Sequence, residues 1–281
     1  MGYSTMSEII FNKKTTSLIS LLEDENSEVA ASAMLELLSY KKELRIIISE
    51  FQESSNPFLR KRIHQLQSIV TTRKNRENLS RKFSNIHSGL WQGLCELHIL
   101  WYDNDTLTTL KTLQKDLFLQ ASIYKPNTTY KISNFMKTMQ FETSIKGHIE
   151  PDYYCVGSVI ETKIGADFLL CSIAFTIASL YGWDGCIAHS KKGYILIDNE
   201  NRKILPNKWN IVKIQNSDEY KKCSTGMILK NTAFHLLLYA INSNSIRYIH
   251  SIGLCMANML GTKNINDLLP YPYNGIVQLE E

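Results

Sequence analysis

The sequence predicts an α+β fold that is mostly helical, and three observations carry that expectation. Apolar residues recur at helical spacing along most of the chain. Between Gly182 and Ile214 that period gives way to short β-branched and aromatic runs bounded by Gly, Asn, Asp and Lys, which read as strands joined by tight turns in a small antiparallel sheet. A length of 281 residues, 44% apolar and 21% charged, suits one large domain or two of moderate size and excludes disordered, collagen-like and fibrous classes.

Residues 1–84 read as a helical region. Leu18, Ile19, Leu21, Leu22, Val29, Ala33, Leu35 and Leu37 recur with helical spacing, and Leu44, Ile47, Ile48 and Phe51 repeat the pattern. The stretches Leu21–Val29 and Phe51–Leu59 both run from an apolar helix end through a polar, Asn-containing turn into a new helix, about 30 residues apart. This resembles a pair of HEAT-type helical hairpins, with an unrelated helical bundle as the alternative, since such arrays normally stack about three repeats. Thr71 to Ser84 is basic and poor in apolar residues, and the boundary with a second domain, 85–281, is expected there.

In the second domain, Ile86–Trp101 and Leu107–Ala121 read as core helices. Pro126 and Asn127-Thr128-Thr129 break the pattern, and Ile132–Phe141 supplies one more short helix. After a loop, Val156–Lys163 and Asp167–Tyr181 form a helical pair around Gly165. The second member is apolar on nearly every side, which places it at the centre of the domain. Gly185–Ala188, Gly193–Asp198 and Ile211–Ile214 are the expected strands, and helical spacing returns through Leu229–Ile241 and Ile246–Leu260.

Composition excludes several function classes. A formal charge of +4 over 32.3 kDa is too dilute for a nucleic-acid footprint unless locally clustered. The cluster Arg60, Lys61, Arg62, Arg73, Lys74, Arg76, Arg81 and Lys82 has no interleaved aromatics, so it reads as a solvated helical face; salt-sensitive nucleic-acid binding is the competing reading. No apolar run reaches the ~18 residues of a membrane span, and Met1–Lys14 lacks the pattern of a secretory signal, so a cytoplasmic protein is expected. Cys95, Cys155, Cys171, Cys186, Cys223 and Cys255 contain no Cys-x-x-Cys. The pairs Cys95/His98 and Cys186/His189 would each supply half a tetrahedral site, so no metal is expected. Without a glycine-rich phosphate loop or a Gly-x-Ser-x-Gly, no cofactor is expected either.

One segment is more specific. Val159-Ile160-Glu161-Thr162-Lys163-Ile164-Gly165-Ala166-Asp167-Phe168-Leu169-Leu170-Cys171, followed by Gly182 seventeen residues after Gly165, resembles the core helix of the transglutaminase-like superfamily, in particular its SirB-type branch. There a Val-Leu-Glu-Arg-Arg-x-Gly entry leads to Gly-Ile-Pro-Ile-Ser-Leu and a helix ending in Leu-Gly. Pro151 stands where the branch has the proline of Pro-x-Asn-Ser-x-Leu, with Tyr153-Tyr154 in place of Asn-Ser and Val156 in place of Leu. Phe135, Phe141 and the helices of Leu229–Leu260 match more loosely. The resemblance spans roughly residues 15–260, and Pro151–Asp198 is its specific part.

The resemblance implies a thiol nucleophile at the amino end of the core helix, where backbone N–H groups and the helix dipole lower its pKa. A histidine on the adjacent strand and an orienting Asp would complete the site. Here the nucleophile slot is Asp167, the histidine slot is Tyr194, and Asp198 is the candidate for the Asp position, with a turn-forming role before Asn199 as its plainer reading. Cys171, one helical turn deeper, with His189 would be the alternative pair for a residual cysteine hydrolase or acyl transferase. The plainer readings are a core cysteine, as for Cys95 and Cys186, and an exposed loop histidine. Asp184 reads as a turn residue. The resemblance therefore implies a transglutaminase-like domain without its catalysis, serving as a protein-interaction or regulatory module with a partner the sequence does not identify.

Overall fold

The computed structural model describes residues 13–40, 43–82, 89–145, 150–215 and 219–262, and the chain separates into two compact units, Met1–Asn75 and Arg76–Glu281. The fold is α+β and mostly helical, with eleven helices and one small antiparallel sheet among the described residues.

The first unit is built from α1 (Lys13–Leu21), α2 (Ser27–Leu37), α3 (Glu43–Phe51) and the start of α4 (Pro57–Lys82). The elements repeat at an interval of 30 residues: Lys13 answers Glu43, Leu21 answers Phe51, and Ser27 answers Pro57. Each turn is closed by the same device. The Asn26 side chain accepts the Glu28 N–H at 2.9 Å and the Asn56 side chain accepts the Phe58 N–H at 3.0 Å, relieving the unpaired donors of a helix start. Leu18, Leu22, Ala33, Leu37, Ile47, Leu59, Ile63 and Leu66 form the core. Leu21 and Leu35, apolar but out of phase with that stripe, are exposed.

Part of the basic stretch on α4 is spent inside this unit. Arg62 donates to the Leu22 carbonyl at 2.6 Å and to the Asp24 carbonyl, and Arg60 donates to the Ser54 carbonyl at 3.3 Å. Both guanidinium groups therefore tie down turns, Arg62 from a half-buried position and Arg60 from an exposed one. The side chains of Arg76, Arg81 and Lys82 lie outside the described residues.

In the second unit, α5 (Leu90–Trp101), α6 (Leu107–Tyr124) and α7 (Thr129–Thr138) precede a 3-10 turn (Pro151–Tyr154), α8 (Val156–Thr162) and α9 (Asp167–Leu180). After the sheet come α10 (Thr225–Asn242) and α11 (Ile246–Leu260). α9 is buried along most of its length, from Phe168 through Ile173 to Ala178, as expected of a helix apolar all round.

A two-residue parallel ladder, β1 (Glu142–Thr143) with β2 (Ile164–Gly165), fixes the approach to α9. The main sheet comprises β3 (Cys186–Ser190), β4 (Gly193–Ile197), β5 (Arg202–Leu205), β6 (Asn210–Lys213) and β7 (Tyr220–Lys222), in the spatial order β6-β5-β4-β3-β7 and antiparallel throughout. Alternation along the strands splits its apolar residues. Ile187, Leu196 and Ile204 join the helical core, whereas Ala188, Ile195 and Ile197 form a second small cluster. β7 is an edge strand of three residues, all exposed.

Candidate functional site

Asp167 opens α9, preceded by Ala166 in extended backbone. The position is held from two sides: the Ala166 N–H donates to the Tyr153 carbonyl at 2.9 Å, and the Ser144 N–H donates to the Gly165 carbonyl at 2.9 Å. Gly165 is required by close packing, since a Cβ there would lie 2.7 Å from Val159 Cγ1. Both oxygens of the half-buried Asp167 carboxylate are engaged. Oδ1 accepts the Phe168 N–H at 2.7 Å, and Oδ2 accepts the Tyr194 N–H at 2.9 Å. The carboxylate thus joins the helix start to β4, and Gly193, at φ 121°, leaves it the space: a Cβ there would fall 2.4 Å from Oδ2.

Around Asp167 lies a patch of rings. In the register of the sheet, Tyr194 sits opposite His189, and His189 opposite Lys221. The rings of His189 and Tyr194 meet edge to face at 4.8 Å, and Tyr194 leans on Phe168 at 5.5 Å. From α10, His235 stacks on Tyr154 at 4.6 Å, with 6° between the planes, and on Phe168 at 5.9 Å. Burial, reinforced by the Cys223, Asp167 and Cys171 groups, pushes the Tyr194 phenol up to about 12. Burial and the Asp167 charge also raise Tyr154. Burial lowers His235 against the opposing pull of Asp167, and the His235 Nδ1 is buried with no hydrogen-bond partner among the described residues.

The structure gathers Asp167, Tyr194 and His189 by direct contact, keeps Cys171 in the core within electrostatic reach of Asp167 and Tyr194, and engages Asp198 elsewhere. His189, expected in a loop, is instead the fourth residue of β3, because Lys191-Lys192 form a two-residue turn and let Ser190 pair with Gly193; its side chain is exposed. Cys171 is wholly buried, and its thiol is pushed well above the ordinary range by burial and by the charges of Asp167 and Cys223. Cys95 is buried and raised to about 12, while Cys186 is only half-buried. Asp198 lies at the far end of β4. It accepts hydrogen bonds from the Glu200 and Arg202 N–H groups, both at 2.9 Å, and from Thr129 Oγ1, so it organises a turn and orients no histidine. Asp184 accepts from Asn199 Nδ2 at 2.5 Å, a long-range contact that links the approach to β3 with the segment after β4 rather than closing a turn of its own.

Sequence reasoning missed His235 and the role of Tyr154. His235 lies within the apolar period of α10 and carries no local signal, and its stacking partner comes from a distant segment. Among the described residues, no His, Cys, Asp or Glu side chains gather in threes to hold a metal, and no helix is long and apolar enough to cross a membrane.

A carboxylate with both oxygens taken by backbone donors is a fastener. Asp167→Ala is expected to destabilise the second unit by about 2 kcal/mol, the scale of a partly buried charge-assisted pair that leaves the Tyr194 N–H unpaired. A lowered urea midpoint with an unchanged slope would register it. In comparisons with known proteins, no family model, curated protein or solved structure matches this chain.

Proposed function

We propose that the second unit is a transglutaminase-like domain that has lost its chemistry, and that the chain works as a protein-interaction or regulatory module. The Asp167 geometry carries this reading. Where the resemblance calls for a thiolate supported by free helix N–H groups, the slot holds a carboxylate bonded to Phe168 and Tyr194. The thiol one turn further along, Cys171, is buried and held protonated. The first unit exposes Leu35 and Phe58, which give two positions at which a bound partner can be probed.

The test combines chemistry and contact. Purified full-length protein, given a glutamine-bearing protein and a fluorescent primary amine, is expected to incorporate none of the amine. A photo-crosslinker placed at Leu35 or Phe58 is expected to capture one recurrent protein in the cell that makes the chain. Amine incorporation abolished by Cys171→Ser or His189→Ala would overturn the loss of catalysis. Absence of any adduct from both positions would overturn the interaction role.

A further inference from the structure

A second polar cluster, at the C-terminal end of α5, is built around a histidine that the Asp167 site does not use. His98 is 2% exposed, and both of its ring nitrogens are occupied. Nε2 lies 2.7 Å from Asp105 Oδ2, and Nδ1 accepts the Gly157 N–H at 3.3 Å. A nitrogen that accepts a hydrogen bond carries no proton, so these contacts require neutral imidazole with its proton on Nε2. Gly157 belongs to the first turn of α8, whose N–H groups lack partners within the helix, so His98 serves that helix as an external cap. The approach is tight, because a Cβ on Gly157 would lie 2.7 Å from His98 Cε1 and from Leu110 Cδ2.

The groups facing this ring come from every neighbouring element. Asp105 lies in the turn after α5, Asp152 in the 3-10 turn, and Glu161 on α8; each favours the imidazolium. The Tyr102 ring packs on His98 at 5.0 Å, and its hydroxyl donates to Asp152. Burial outweighs the carboxylates and holds His98 below its ordinary 6.5. Immediately before α8, Cys155 is wholly buried.

We propose that His98 is a proton-operated latch: a proton taken up at Nδ1 removes the acceptor for the Gly157 N–H, frees the first turn of α8, and uncovers Cys155. The sign follows from the linkage. A histidine that binds its proton less readily in the folded chain than in the unfolded one stabilises the closed state fully above 6.5. That contribution drains away as pH falls through the folded value, so the latch is closed at neutral pH and opens in acid.

The test reads thiol accessibility on the full-length protein with a dipyridyl disulfide, which still reacts in acid, and assigns the label by peptide mass. Between pH 7.5 and pH 5 the labelling rate at Cys155 is expected to rise by up to about ten-fold per pH unit, the slope of a single proton. Cys171 and Cys255, buried elsewhere in the unit, serve as internal controls and are expected to stay slow. Folded His98→Asn, which cannot take up the proton, is expected to flatten the response. A Cys155 rate that changes less than about two-fold, or controls that rise in step with it, would overturn the latch from the unmodified protein alone. A response that persists in folded His98→Asn would do the same.

Discussion

Trp209→Ala is expected to lower the stability of the second unit by about 4 kcal/mol, within the range for deleting a buried aromatic side chain. The indole is 2% exposed, and the residue closes the hairpin between β5 and β6 in left-handed backbone at φ 52°. Its Nε1 donates to the Phe141 carbonyl at 2.7 Å, and its own carbonyl accepts from Ser133 Oγ on α7. Alanine would leave a cavity where the hairpin meets α7 and an unpaired carbonyl at Phe141. Trp209→Phe keeps most of the volume and loses only the donor, so about 1–2 kcal/mol is expected for it. Chemical denaturation of the two variants separates the packing contribution from the hydrogen bond. Similar losses in both would show that the indole N–H, rather than its bulk, secures the hairpin.

Asp198→Ala is expected to cost about 3 kcal/mol, the scale of removing one partner from a buried ion pair. The carboxylate side chain is 5% exposed. Besides Thr129 and the two turn amides, it receives Arg202 Nε at 2.6 Å. Burial pushes its pKa up, but hydrogen bonds from Thr129, Arg202 and Glu200 outweigh this and leave it below 3.8. The folded chain thus resists protonating this group more than the unfolded chain does. Its stabilisation is complete above the ordinary carboxylate value and is lost as pH falls below 3.8 and through the folded value. In denaturation series at pH 7 and pH 3, the gap between the parent protein and Asp198→Ala should narrow in acid. A constant gap would locate the effect in packing rather than charge.

The helices, and the place of Asp167 at the start of α9, were legible because their signals are local. The apolar period of Phe168–Ala178 and the paired asparagine turns at Asn26 and Asn56 lie within a few helical turns of the features they specify. β5 and β7 were not legible. Arg202-Lys203 and Lys221-Lys222 obscure the alternation that marks a strand, and β5 is ordered by the Asp198–Arg202 pair across its own turn. The aromatic patch failed for a different reason: Tyr154, Phe168, Tyr194 and His235 come from four separate elements, and only the fold brings their rings into contact.

β7 bears on how this protein behaves in concentrated solution. Three residues offer too little free backbone to template another chain, and two of the three are lysines that would face the lysines of an identical incoming strand. Mutual repulsion along that border opposes fibril-like growth from it, so this margin of the sheet protects colloidal stability while adding little to the core.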